Sequence, residues 1–201
     1  MLLIAWTDGA LALWHLHERR SVAVTSPRDD GEDEEAMGAS LTCAEWLDAN
    51  FVVAGYGDGR VALWEPSAGR DLECRSRAKG HRGWVTALAV SPDEDHVVSG
   101  GGDGRVRLWM FAPDALSGHR RLIPEREIMT RPAHIGHVVG LTWSGGGGGG
   151  GGGGRGGGGR GGGGAGAMNV VLSAAHDGRI FGWDMSKIIE AEKQRRARKA
   201  K

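Results

Sequence analysis

Histidine, serine and aspartate recur together in this sequence in an order that suggests nucleophilic chemistry. A base that activates a hydroxyl, together with a carboxylate that orients the base, forms the triad of many hydrolases. The sequence contains two such sets: His81, Ser99 and Asp103, and His134, Ser173 and Asp177. An enzyme needs one set in one pocket, whereas a recurring set is typical of a structural hydrogen-bond network. The repetition therefore predicts that neither set is catalytic.

The elements that position these residues begin with four Asp-Gly pairs, each followed by alternating apolar residues. The four segments are DGALALW from Asp8, DGRVALW from Asp58, DGRVRLW from Asp103 and DGRIFGW from Asp177. A tryptophan follows the aspartate by six residues in every copy, at Trp14, Trp64, Trp109 and Trp183. An Asp-Gly turn before alternating apolar residues predicts a hairpin that leads into a half-buried strand.

Apolar runs upstream of the turns predict further strands in each copy. These runs are FVVAGY at Phe51, HVVSGG at His96 and NVVLSAA at Asn169, with VTALAVS at Val85 and VVGLTWS at Val138 before the last two. A small residue and a histidine, Gly80-His81 and Ala133-His134, precede those two at the same offset. A unit of three to four short antiparallel strands cannot bury its sheet faces alone, so we expect the copies to stack.

In these residues the chain resembles the WD-repeat family of β-propellers. Gly80-His81 with Trp109 marks one repeat, and Ala133-His134 with Trp183-Asp184 marks another. The resemblance implies an all-β WD-repeat β-propeller of about three and a half blades over residues 1–184, followed by a basic helical tail over 185–201. Residues 1–6 match a second strand, and no outer strand follows Asp184. We therefore expect further residues or another chain to complete the ring.

The resemblance also assigns structural roles to the repeated polar residues. Within each blade they would link the inner loop, the second strand, the turn and the third strand, and so satisfy buried polar groups. The predicted network residues are His81, Ser99, Asp103, Trp109, His134, Ser173, Asp177 and Trp183, and the turn and strand markers of the first two copies are Asp8, Trp14, Asp58 and Trp64. The second copy has Ala54 at the serine position and no histidine near Met37, so we expect its network to be incomplete.

Two aromatic residues at matched positions are candidates for partner binding. Trp84 and His137 each lie just before the predicted inner strand of their repeat. In the family this edge borders the common docking face, where an exposed tryptophan would serve as a binding anchor. Alternatively, Trp84 packs between blades, because tryptophan suits both environments.

Two insertions interrupt the repeats. An acidic loop at 27–38, with Asp29 to Glu35 as its charged part, joins the first two copies. The simplest interpretation is a solvated surface loop, and the alternatives are a contact with a basic partner or with the basic tail of the chain itself. A glycine-rich run at 145–164 is predicted to be a disordered loop, and it lacks the Gly-Lys-Ser/Thr ending of a phosphate-binding loop. Its Arg155 and Arg160 resemble a sparse arginine-glycine RNA-binding segment, although slippage in a glycine-coding tract is the favoured explanation of the run.

The final residues predict a helix with a strong positive charge. Ser186 is a candidate N-cap, and Met185, Ile188 and Ile189 form a short apolar edge. From 185 to 201 there are seven Lys or Arg residues and two Glu residues. A nuclear-import address or an RNA contact would use Lys193, Arg195, Arg196, Arg198 and Lys199. The alternative is a solvated terminal helix.

The composition limits the remaining function classes. Acidic and basic residues balance at 25 each, so overall charge directs the chain neither to nucleic acid nor to a membrane. Cys43 and Cys74 are the only cysteines, and no secretory signal or long apolar run is present, which favours the cytoplasm or the nucleus. His134, His137 and His176 have poor spacing for zinc, so we expect no metal and no cofactor.

These observations predict a non-catalytic scaffold that binds other proteins in a multiprotein complex, with no membrane or small-molecule substrate among its partners. The alternative is a nuclear RNA-associated factor used in ribosome biogenesis or RNA processing, and the glycine-rich run and the basic tail motivate it. An enzyme is the third hypothesis, and it rests only on the His, Ser and Asp sets.

Overall fold

The computed structural model describes residues 2–5, 10–15, 17, 19–25, 40–47, 51–66, 72–113, 120–127, 134–144 and 169–199. Within these ranges the chain forms fourteen strands and one helix. The strands are β1 (Leu2–Ala5), β2 (Leu11–His15), β3 (Arg20–Thr25), β4 (Leu41–Trp46), β5 (Val52–Tyr56), β6 (Arg60–Pro66), β7 (Leu72–Lys79), β8 (Val85–Val90), β9 (His96–Gly101), β10 (Val106–Pro113), β11 (Arg120–Glu127), β12 (Val138–Ser144), β13 (Val170–Ala175) and β14 (Ile180–Asp184). The helix is α1 (Met185–Lys199).

The strands form four antiparallel sheets in chain order. The first sheet is β1-β2-β3, the second β4-β5-β6-β7, the third β8-β9-β10-β11 and the fourth β12-β13-β14. Each apolar run that the sequence predicts to be a strand is a strand in the structure, which confirms the expectation of a mainly β chain. The sheets stack in sequence order, because separate apolar clusters join the first to the second, the second to the third and the third to the fourth.

Successive residues of one strand enter different cores. Val97 packs in the cluster between the second and third sheets, while Val98 packs between the third and fourth sheets. Both valines are fully buried. Since neighbouring side chains of a strand point to opposite faces of the sheet, β9 needs apolar residues at the consecutive positions 97 and 98 to pack on both sides.

The Asp-Gly turns have the backbone geometry that their sequence predicts. Gly59, Gly104 and Gly178 have positive φ angles of 86°, 72° and 73°. Glycine adopts this conformation without the clash that a Cβ atom would cause. In each of these three turns the aspartate carboxylate accepts a hydrogen bond from the backbone N–H two residues later, as in Asp103 Oδ1 with Arg105 N at 3.2 Å.

Close packing between sheets requires glycine at one position of the second strand. A Cβ atom at Gly55 would lie 2.6 Å from Val85 Cγ1, and one at Gly100 would lie 2.5 Å from Val138 Cγ1. These valines open β8 and β12, the first strands of the following sheets. The glycine therefore lets the next sheet approach closely.

Helix α1 confirms the predicted terminal helix and packs beside the core. Met185 is fully buried and Ile189 is 7% exposed, both in the cluster between the third and fourth sheets. The predicted cap at Ser186 is wrong, because the helix begins one residue earlier and Asp184 Oδ1 accepts the N–H of Ser186 at 3.2 Å. In the described part of the chain no helix is long and apolar enough to cross a membrane.

Several predicted features lie at the edge of the described residues or beyond it. The acidic loop at 27–38 falls between β3 and β4, and the glycine-rich run at 145–164 falls between β12 and β13; both lie outside the described residues. Asp8, Met37, Arg155 and Arg160 also lie outside them.

Cys43 and Cys74 are free thiols, and burial raises the pKa of Cys43 to about 11, so its thiol stays protonated at neutral pH.

Candidate functional site

The third sheet brings His81, Ser99, Asp103 and Trp109 into one hydrogen-bonded group. His81 Nε2 lies 2.7 Å from Ser99 Oγ, and His81 Nδ1 lies 3.0 Å from Asp103 Oδ1. Trp109 Nε1 donates to the same serine oxygen at 2.8 Å. The carboxylate of Asp103 can only accept a hydrogen bond, and the indole N–H of Trp109 can only donate one. A neutral His81 with its proton on Nδ1 therefore donates to Asp103 and accepts from the hydroxyl of Ser99.

The fourth sheet contains the same group in matching positions. His134 Nε2 lies 2.9 Å from Ser173 Oγ, and Trp183 Nε1 donates to that oxygen at 3.0 Å. His134 Nδ1 lies 3.3 Å from each carboxylate oxygen of Asp177. Serine, aspartate and tryptophan lie at the same offsets from one another in both sheets, whereas the histidine lies 22 residues before Asp103 and 43 residues before Asp177. The two sheets nevertheless bring the same four residue types into the same contacts.

The second sheet uses a different residue to complete its contact with tryptophan. Trp64 Nε1 donates to the hydroxyl of Tyr56 at 3.0 Å, with both residues buried. Tyr56 is two residues after Ala54, which holds the place of the serine. Its longer side chain brings a hydroxyl to the indole from the next position on the same strand face. The repeat pattern did not predict this role for Tyr56, although it is the only tyrosine of the chain and lies just before Asp58.

Hydrogen bonds control the ionisation of the turn aspartates. Burial alone would raise the pKa of Asp103, but hydrogen bonds from His81 and from the backbone N–H groups of Arg82 and Arg105 outweigh it. These contacts lower the pKa from 3.8 to about 2. The pKa of Asp177 is also lowered. Burial would raise it, but hydrogen bonds from the N–H groups of Ile135 and Arg179 and from His134 outweigh that effect. Both carboxylates are therefore ionised at neutral pH.

The contacts run from Ser99 to His81 to Asp103, as in a hydrolase triad, but Ser99 has no access to a substrate. Ser99 is 0% exposed and His81 is 1% exposed. The hydroxyl of Ser99 is also held between an imidazole and an indole. A nucleophile must reach a substrate carbonyl, whereas these contacts satisfy polar groups that sheet stacking has buried. The arrangement can join a strand, a turn and a loop.

Trp84 and His137 lie on the surface at the loop edge of the same two sheets. Trp84 Nε1 donates to His137 Nδ1 at 3.2 Å, and their ring centroids are 5.8 Å apart. His176 extends the row, with its ring 5.9 Å from that of His137. Trp84 nevertheless remains 52% exposed. Of the two alternatives for Trp84, each describes part of its position, because the ring contacts the neighbouring sheet and also faces solvent.

An open groove of about 370 Å³ lies beside the Trp84 ring. It is lined by Gly57, Arg82, Gly83, Trp84, Gly102, Asp103 and His137. Gly102 has a special place in it, because a Cβ atom there would collide with the indole nitrogen of Trp84. The groove therefore combines one large ring, one exposed guanidinium and backbone polar groups, which is a surface suited to another polypeptide.

The remaining predicted site residues are dispersed. The backbones of Lys193, Arg195, Arg196, Arg198 and Lys199 lie on α1, and among them only the side chain of Arg195 is described, as exposed. Asp58 binds its own turn and forms an ion pair with Arg60 at 3.3 Å. Trp14 is partly exposed on β2. Within the described ranges, no group of three or more His, Cys, Asp or Glu residues is arranged to hold a metal ion.

Comparison with known proteins gives one family match. Residues 72–110 match the WD40 family, described as WD domain, G-beta repeat. No curated protein matches the sequence. The matched residues include β7, β8, β9 and most of β10, together with His81, Ser99, Asp103 and Trp109. The chain therefore carries a WD40 repeat at residues 72–110.

Proposed function

We propose that residues 1–184 form a WD-repeat β-propeller domain of about three and a half blades and that residues 185–201 are a basic helical tail. The four stacked sheets, their order in the chain and the repeated Asp-Gly turns support this architecture. The second and third sheets have four strands each, while the described strands of the first and fourth sheets number three each. Repeats of this kind stack through their faces and leave loops free at the edges.

We propose that this domain is a non-catalytic scaffold for the assembly of other proteins. One contrast carries the proposal: Ser99 and His81 are buried, while Trp84, 52% exposed, lies at the loop edge of the same sheet. Buried polar groups joined to one another stabilise a sheet, whereas a large exposed ring is a typical anchor for a partner. The repeated His, Ser, Asp and Trp residues then have a structural role.

The contact between Trp84 and His137 also prepares the surface for binding. A hydrogen bond and an edge-on ring contact hold the indole in one orientation, and Gly102 leaves room for it. A side chain that is ordered before binding loses less conformational entropy when the partner arrives. The exposed Arg82 beside it adds a charged donor at the rim of the groove.

Affinity capture with a surface variant tests this proposal. The full chain and a Trp84→Ala variant are used to capture proteins from a cell extract, with and without RNase treatment. We expect proteins that remain bound after RNase treatment and that the Trp84→Ala chain loses. The matched control is Ile135→Ala, which removes another exposed apolar side chain, 84% exposed, that does not line the groove. Equal capture by the Trp84→Ala chain would exclude the groove as the binding surface.

The same experiment decides the RNA-associated alternative. The exposed Arg195 on α1 and the basic residues around it in sequence motivate that alternative. Partners that disappear after RNase treatment, together with RNA binding that weakens steeply as salt rises, would favour an RNA-associated factor. In that case the loss should follow removal of basic residues of the tail and not the substitution of Trp84.

A further inference from the structure

The fourth sheet has an apolar face that points away from the third sheet. Its members are Thr142, Leu172, Ala174, Ile180 and Gly182, which pair across the strands as Thr142 with Leu172, Leu172 with Gly182, and Ala174 with Ile180. We name this set the open face. Ile180 is 71% exposed and Leu172 is 39% exposed. Large aliphatic side chains placed side by side on a sheet surface mark an interaction site.

The same face is covered in the preceding sheets. Counted from the turn aspartate, Ile180 corresponds to Val61 and Val106, and both valines are 0% exposed. Leu172 corresponds to Val53 and Val98, which are also 0% exposed. Each of these four valines lies in an apolar cluster shared with the next sheet. The chain itself therefore shows what covers this kind of face, namely the opposite face of another such sheet.

The turn of the fourth sheet is open in the same way. A Cβ atom at Gly104 would lie 2.6 Å from the backbone oxygen of His134, which belongs to the loop before the fourth sheet. A Cβ atom at Gly59 would collide with the backbone oxygen of His81, in the loop before the third sheet. At Gly178 no atom of the described residues lies within 4 Å of such a Cβ atom. Both the strand face and the turn of the fourth sheet thus have the form of a contact with a following sheet.

Two substitutions within the open face define the shape of its partner. Ala174 holds the place of Gly55 and Gly100, where a Cβ atom would meet the valine of the next sheet. A partner strand with valine at that point would therefore clash. The first sheet follows this rule, because it has Ala5 at the same place and β4 of the next sheet opens with Leu41 instead of valine.

At Gly182 the open face lacks a side chain that the preceding sheets have. It holds the place of Leu63 and Leu108, which are fully buried against the next sheet. Glycine leaves a hollow next to Leu172, whose Cδ2 atom would be 3.5 Å from a Cβ atom at that position. The partner therefore needs a bulky side chain that fills the hollow, and no valine opposite Ala174.

The first sheet has a face that offers a bulky side chain of this kind. On the side away from the second sheet, Ile4 and Trp14 are partly exposed, whereas the corresponding Trp64 and Trp109 are 0% exposed. The described strands of the first sheet match the second, third and outer strands of the other sheets. Trp14 is therefore the large ring that this face offers.

We propose that the open face binds the first sheet of a second copy of this chain. The contact is head-to-tail, with Trp14 of one copy placed toward Gly182 of the other, in the order in which the sheets stack within one chain. A heterologous contact uses two different surfaces of each copy, and a second identical contact closes a particle of two copies when a half turn relates them.

Sedimentation velocity of the full chain over a range of concentrations tests this inference. We expect a two-copy particle that dissociates on dilution. Ile180→Asp and Leu172→Asp place a carboxylate in the contact and should weaken the association at least about tenfold. The control is Ile135→Asp, since Ile135 is 84% exposed in the loop before β12 and lies outside the open face. Circular dichroism verifies that each variant remains folded.

A mixing experiment identifies the opposite surface. The Ile180→Asp chain keeps its first sheet, and a Trp14→Asp chain keeps its open face, so each alone should remain a single copy. An equimolar mixture should form a two-copy particle through the one intact contact. A wild-type chain that remains a single copy up to about 100 μM would overturn the inference. A two-copy particle that persists in both aspartate variants of the open face would overturn it as well.

Discussion

The third and fourth sheets carry the same polar network but differ in what covers them. His81 with Ser99 and His134 with Ser173 make the same contacts, and all four side chains are buried. Among the described residues, the third sheet has an apolar core on both sides, whereas the fourth has one on the side of the third sheet only. The comparison shows that the network belongs to a single sheet and the loop before it, while the burial of the second face depends on the following sheet.

The largest expected difference concerns apolar side chains on that second face. Leu108→Ala removes a fully buried side chain from the core between the third and fourth sheets. We expect the free energy of unfolding to fall by roughly 2–5 kcal/mol. Ile180→Ala, at a position that is 71% exposed, should cost less than about 1 kcal/mol in dilute solution. Urea denaturation of both variants measures the two values, and similar losses would contradict the difference in burial.

The turn glycines provide the next test. Both Gly104 and Gly178 have positive φ, but only Gly104 has a neighbouring sheet against it. Gly178→Ala should lower the free energy of unfolding by about 1–2 kcal/mol through backbone strain alone. Gly104→Ala adds a collision with the backbone of His134 and should cost roughly 3 kcal/mol or more. Equal costs would mean that the contact between turn and loop is easily rearranged.

The polar networks should respond equally in the two sheets. Ser99→Ala leaves the indole N–H of Trp109 and the Nε2 atom of His81 without their shared partner, and Ser173→Ala does the same to Trp183 and His134. Each loss should cost about 1–3 kcal/mol. Thermal or urea unfolding of both variants provides the measurement. A much smaller loss for Ser173→Ala would show that the open side of the fourth sheet also weakens its network.

The smallest expected effect is a pH dependence from Asp103. Its pKa is about 2 in the folded chain and 3.8 as the ordinary value, so between these pH values the unfolded chain binds a proton that the folded chain does not. The stabilisation is therefore present above pH 3.8 and lost as the pH falls to about 2. The free energy of unfolding of Asp103→Asn, measured from neutral pH down to about pH 2, should differ from that of the wild type most near neutral pH and least near pH 2. A constant difference would contradict this role of the carboxylate.

The candidate site was predictable where it depends on residues of one repeat. The spacing from Asp103 to Trp109, and the serine four residues before the aspartate, place these side chains together once the hairpin forms. The prediction for the second sheet was incomplete, because Ala54 signalled a missing partner. Tyr56 supplies a hydroxyl to Trp64 from two residues further along the same strand face. A pattern of residue types at fixed positions cannot predict that a longer side chain at a different position reaches the same indole N–H.

By itself, the sequence determined the strands, the Asp-Gly turns and the composition of the polar groups, because hairpin geometry and side-chain alternation follow from residues close together in the chain. Only the tertiary structure decided which of two similar surfaces is covered. Val106 and Ile180 have equivalent sequence contexts, yet one is buried and the other exposed, because burial depends on whether another sheet packs against that face. The exposure of Trp84 and its contact with His137, 53 residues away in sequence, depend in the same way on how neighbouring sheets stack.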